Sequence, residues 1–196
     1  MKKILLLLLI LITVGGSVFA FNINTFPSPI QPGNWLISPA LNIGYFGWSG
    51  GGYSNNFLIG FAGRFDRAMN FPVAITFGGE VSLNLAAGAD STLMAVPLMF
   101  RVAWHPNFEV PNLDVYAAFK LGVGIGIAPD VSSSDIRKFG FAWGTDIGVG
   151  YFFNKSIGVF GELGWNYYPL YKWTWTYYSW GVYGYNWFTA GVTFKI

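Results

Sequence analysis

The sequence contains no cysteine, which excludes a disulfide framework, thiol chemistry and a zinc ribbon. Charge is almost as scarce: 10 % of the residues are charged against 53 % that are hydrophobic. The formal net charge is +2, and Lys2 and Lys3 account for it, so the rest of the chain presents no basic field for nucleic acid. Histidine occurs once, as His105. No stretch beyond the N-terminus approaches the roughly 20 apolar residues of a transmembrane helix, which excludes a helical membrane protein. A water-soluble domain with so little charge would dissolve poorly. Something other than water must cover the apolar surface.

What is present begins with Lys2-Lys3, an apolar run from Ile4 to Val14, and a small-residue exit ending Val18-Phe19-Ala20. This pattern predicts a secretory signal peptide over 1–20, cut after Ala20. Residues 21–33, carrying Pro27, Pro29 and Pro32, predict an irregular lead-in. Residues 34–196 remain for one barrel domain.

Within that domain, period-two alternation dominates. In the stretch 73–85, Val73, Ile75, Phe77, Val81, Leu83 and Leu85 alternate with Ala74, Thr76, Gly78, Glu80, Ser82 and Asn84. The pattern recurs over about 35–47, 57–67, 73–86, 92–104, 113–127, 139–153, 157–168 and 183–196. The intervening gaps alternate between short or proline-marked turns and mostly longer stretches rich in glycine, serine and aspartate. These features predict an all-β fold: an eight-stranded antiparallel up-and-down transmembrane β-barrel.

Side-chain size decides which face points outward. The apolar face carries Phe61, Phe65, Phe100, Trp104, Phe119, Phe141 and Trp143 among many others, too much bulk for the interior of an eight-stranded barrel. The opposite face is rich in glycine and alanine, as at Gly122, Gly124, Gly126, Gly144, Gly148 and Gly150. The apolar face therefore belongs in lipid. Charges agree: Arg64, Asp66, Glu80, Arg101, Asp114, Lys120, Asp146, Glu162 and Lys195 all fall on the small, polar face, which spares them the cost of a charge in hydrocarbon. They predict either a paired network that plugs the barrel or the lining of a narrow path. The small residues of the glycine run 122–126 would let the wall approach bulky interior partners such as Tyr116, Phe152 and Phe160. Rings gather toward both strand ends, as expected of two interfacial belts.

At "MAVPLMFRVAW" (94–104), "LDVYAAFKLGVGIGIA" (113–128) and "FGFAWGTDIGVGYFFNKSIGVFGELGWN" (139–166) the chain resembles the small bacterial outer-membrane β-barrel proteins of the OmpA/OmpX/OmpW kind. The resemblance covers about 34–196 and implies a bacterial outer membrane, its lipid as the surrounding partner, and recognition by the barrel-assembly machinery. It departs at Phe194-Lys195-Ile196, where such barrels end in an aromatic residue.

Catalytic and cofactor signals are sparse. His105, before Pro106, reads as an interfacial polar side chain at a periplasmic turn. Asp130 and Asp135 are too few hard ligands for calcium, and the glycine run of 122–126 opens no helix and so is no phosphate loop. No catalytic residue, cofactor or metal is expected, and a monomer is the favoured assembly. Tyr171, Trp173, Trp175, Tyr177, Tyr178 and Trp180 form an aromatic extracellular loop, expected to rest on the outer interface or cap the mouth. The expected function is a passive conduit or binding protein for small molecules, hydrophobic ones included, across the outer membrane. The alternative is a closed structural or surface-interaction barrel with no transport.

Overall fold

A computed structural model describes residues 25–47, 56–69, 73–87, 92–127, 139–167 and 183–196. The expected signal peptide and the aromatic stretch 171–180 lie outside the described residues. Eight strands follow in chain order: β1 (Trp35–Gly47), β2 (Asn56–Ala68), β3 (Ile75–Ala87), β4 (Thr92–Trp104), β5 (Leu113–Ile127), β6 (Gly140–Phe152), β7 (Ile157–Tyr167) and β8 (Tyr183–Lys195). Each pairs antiparallel with its sequence neighbour, and β1 pairs with β8, so the barrel closes. A 13-residue strand such as β1 is about 43 Å long. Tilted by about 40°, it stands about 33 Å tall, enough to cross a hydrocarbon layer. Among the described residues no helix is long and apolar enough to do so.

Alternation sorts the side chains between two environments. Along β6, buried and outward positions alternate through the whole strand. Phe61, Ile147 and Leu163 are 65 %, 67 % and 66 % exposed, while Lys120, Glu80 and Glu162 are at most 2 % exposed. Apolar residues coat the outside and ions lie within, the inverse of a soluble domain.

Turns at one end are short and internally bonded. Between β6 and β7, Asn154 Oδ1 accepts hydrogen bonds from the backbone N–H of Ser156 at 2.8 Å and Ile157 at 2.9 Å, an aspartate-type turn built from one side chain. Between β4 and β5, Asn107 Oδ1 accepts from Glu109 N at 2.9 Å.

Residues 25–33 of the lead-in form no strand, yet they are not a free tail. Phe26 and Ile30 pack with Leu36, Ala68, Ala74 and Phe152 in one buried apolar cluster. Gly33 N donates to Ala68 O at 2.8 Å, Lys195 Nζ to Pro29 O at 3.1 Å and Asn107 Nδ2 to Thr25 Oγ1 at 3.2 Å. The segment folds into the short-turn mouth and packs against its inner wall. Burying the two side chains contributes about 3–6 kcal/mol before the entropy of ordering the segment.

Candidate functional site

The interior site follows from register. In the β2–β3 pair, Arg64 faces Glu80 directly, and Arg64 Nε donates to Glu80 Oε2 at 2.8 Å. Two positions along, Asp66 faces Gly78, and Gly78 faces Arg101 on β4. Because Gly78 has no side chain, Asp66 lies flat across β3 and pairs with Arg101. Glu162, from β7 on the far wall, reaches Arg64 with one oxygen and Arg101 Nη2 with the other, the latter at 3.3 Å.

Arg101 and Lys120 are cross-strand neighbours on β4 and β5, a like-charge pairing that would destabilise alone. They turn to different acids. Lys120 Nζ lies 3.2 Å from Glu80 Oε1 and 2.9 Å from Asp146 Oδ2; the Asp146 contact is close enough for ion pairing but lacks hydrogen-bond alignment. The guanidiniums also rest on rings, Arg64 5.0 Å from the Phe160 centroid and Arg101 5.3 Å from that of Tyr116. Seven ions, Arg64, Arg101 and Lys120 with Asp66, Glu80, Asp146 and Glu162, thus form one connected cluster at mid-barrel.

Buried ions cost several kcal/mol each to dehydrate, which is offset only by good partners. The cluster supplies them through cross-strand ties that no hairpin alone could make. Four inward side chains fit because each lies over a glycine directly opposite: Tyr116 over Gly148, Asp146 over Gly164, Phe160 over Gly191 and Phe152 over Gly158. A Cβ at Gly148, Gly164 or Gly191 would collide with the ring or carboxylate, and one at Gly158 would crowd the Phe152 ring. The rings of Tyr116, Phe152 and Phe160 thus rest on glycines outside the run 122–126, whose Gly122 lies instead against the Leu98–Met99 backbone.

Two of the nine expected interior charges stand apart. Asp114 pairs with His105, whose Nδ1 lies 2.8 Å from Asp114 Oδ1 and whose Nε2 lies 3.1 Å from Thr76 Oγ1. With Nδ1–H directed at the carboxylate, Nε2 accepts a hydrogen bond from the Thr76 hydroxyl; this tautomer is assigned from the bonding pattern. Lys195 is half-buried at the mouth, holding the lead-in.

The expectation for His105 is corrected. It is not an interfacial side chain: it is 2 % exposed, lies between Phe26 and Tyr116 at ring-centroid distances of 5.9 and 5.2 Å, and is enclosed by the lead-in. The Asp114–His105–Thr76 order resembles the connectivity of a nucleophilic triad, but Thr76 has no exposed surface from which to meet a substrate.

A second polar tier, toward the long-loop end, was not foreseen. Thr189 Oγ1 donates to Asn42 Oδ1 at 3.0 Å, Asn42 Nδ2 to Asn84 Oδ1 at 3.1 Å and Asn84 Nδ2 to Ser82 Oγ at 2.9 Å. The inward parity of Asn42 and Asn84 was the available signal. Between the ion cluster and the lead-in, bordered by Ser38, Arg64, Arg101, His105 and Tyr116, free space for the centre of a water molecule amounts to about 20 Å³. A single water needs about 10–15 Å³ on that measure, so the space suits one or two waters and no larger solute. Among the described residues no group of acids and histidine is arranged to hold a metal ion.

No protein-family model matches the chain, and no curated protein matches it. Solved structures do. The chain is similar to Neisserial surface protein A (NspA), with 12 % identity and a TM-score of 0.55, over 83 % of this chain and 94 % of that one. It is also similar to Ail, the attachment invasion locus protein of Yersinia pestis, with 12 % identity and a TM-score of 0.53, over 85 % of this chain and all of that one. At such identities the likeness is one of architecture, and strand number, antiparallel order and closure agree throughout: this chain has the fold of the small eight-stranded outer-membrane β-barrels.

Proposed function

We propose that the protein is a sealed barrel embedded in a bacterial outer membrane, serving envelope structure and surface interaction rather than passage along its axis. The observation that carries this reading is the mid-barrel ion cluster, in which Arg64, Lys120, Glu80 and Glu162 are at most 4 % exposed and tie β2, β3, β5 and β7 together. A conduit would need a wet path past these groups, and the adjacent free space holds one or two waters. The lead-in adds a second closure at the short-turn mouth.

The outward coat supports the membrane placement. Leu98, Phe100, Phe119, Phe141 and Ile147 are all about half exposed or more, an apolar surface that would aggregate in water and that acyl chains would cover. Lipid is therefore the primary partner, and the signal peptide and the barrel-assembly machinery would bring the chain there. A surface role is consistent with the names of the two similar proteins, a surface protein and an attachment locus product. The decisive measurement is conductance. Purified protein in a planar bilayer should give no openings above baseline; steady unitary currents from wild-type protein would overturn the sealed reading and restore the conduit.

A further inference from the structure

Among the described residues, the outward-facing strand positions carry one charged side chain, Arg67 on β2. Its neighbour Asp66 points inward to Arg101, and no described acid pairs with Arg67. The guanidinium instead sits 5.0 Å from the Trp35 ring centroid, and Trp35 stacks on Phe65 at 4.6 Å and 25°. Register places Trp35 opposite Arg67 on β1 and Phe77 opposite it on β3, so the cation stands in an aromatic frame at the short-turn end of the wall.

We propose that Arg67 and this frame bind the phosphodiester of an anionic glycerophospholipid in the leaflet at the short-turn end. The inference rests on the membrane placement proposed above. An outward cation is costly at mid-bilayer and tolerable at the headgroup layer, where aromatic rings also gather. There its available counter-ion is a lipid phosphate. A guanidinium offers paired N–H donors that match two phosphate oxygens, and the Trp35 contact restrains it before the lipid arrives. The occupant is a lipid rather than free phosphate because the wall continues from the cation into an apolar surface. Phe65, Phe61 and Ile59 are 50 %, 65 % and 46 % exposed along the same strand, a track for acyl chains that an inorganic ion could not use.

The test is native mass spectrometry of the full chain released from micelles doped with phosphatidylglycerol, on the wild type, R67Q, R67K and, as a control, K155Q in the exposed β6–β7 turn. Retention of one lipid should fall about tenfold in R67Q, the expected loss of a charge-assisted bond to phosphate, and partly in R67K. K155Q should match wild type, and millimolar inorganic phosphate should displace nothing. Anomalous migration of unboiled R67Q on a detergent gel would confirm an intact barrel. Equal lipid retention by wild type and R67Q, equal loss in K155Q, or displacement by free phosphate would each overturn the site. Insertion into vesicles separates the two readings: R67Q that inserts but binds like wild type sinks only the lipid site, whereas wild type that cannot insert sinks the membrane placement.

Discussion

Replacing Lys120 by methionine keeps an unbranched side chain one atom shorter and deletes its charge. The ion cluster already holds four carboxylates against three bases, so the loss leaves Arg64 and Arg101 to serve Asp66, Glu80, Asp146 and Glu162. Glu80 keeps Arg64 at 2.8 Å, but Asp146 loses the base that lay 2.9 Å away while remaining 4 % exposed. Stranding a buried charge in this way costs about 3–5 kcal/mol. Asp146→Asn alone should cost less, about 0.5–1.5 kcal/mol, because Lys120 retains Glu80 and the cluster becomes neutral. Combining K120M with D146N removes the stranded charge, so the double variant should be about 1–3 kcal/mol more stable than K120M, a coupling readable from a double-mutant cycle. Reversible urea unfolding from lipid vesicles, followed by tryptophan fluorescence, measures all four proteins. If K120M lies within about 0.5 kcal/mol of wild type, the range of an inconsequential surface change, or if D146N gives K120M no relief, the cluster is not the paired network described.

Gly148→Ala should destabilise by about 1–3 kcal/mol, since the new Cβ meets the Tyr116 ring in a filled interior. Gly63→Ala, whose nearest neighbour is a Val81 methyl at 4.0 Å, should stay within about 0.5 kcal/mol; equal effects in the same unfolding assay would refute the reclining-side-chain arrangement. Because His105 is the single histidine, its reaction with diethyl pyrocarbonate reports on the short-turn mouth. Folded wild type should react slowly and Phe26→Ala several-fold faster as the lead-in loosens, whereas rapid wild-type reaction would show the mouth to be open.

The strands were readable because large-out, small-in alternation persists through whole segments. β1, β4 and β5 occupy 35–47, 92–104 and 113–127 as expected. Ion partners were not readable in the same way. A shift of one residue in pairing moves every side chain to the other face, and a tie such as Arg64–Glu162 joins β2 to β7, whose relative height depends on every hairpin between them. His105 was misplaced for a different reason. Inward positions on β4 are odd, as at Ala95, Met99, Arg101 and Ala103, and His105 continues that parity just past the strand, although the following Pro106 marks a turn. Phe26 and Ile30 lie in a proline-rich segment with no period, so nothing local announced that both would be buried.

The glycines and the ions solve one problem together. An eight-stranded barrel has little interior width, so long side chains can be housed only along the wall, and the glycine opposite Asp66, Tyr116 or Asp146 supplies the bed. Side chains lying along the wall occupy much of the lumen, and a carboxylate buried among them is costly without a partner. The cations that answer come from strands distant in sequence: Lys120 on β5 reaches Glu80 on β3, and Arg64 on β2 reaches Glu162 on β7. Closure of the ring brings these partners within reach, and their pairing in turn favours the closed ring over any open sheet of the same strands.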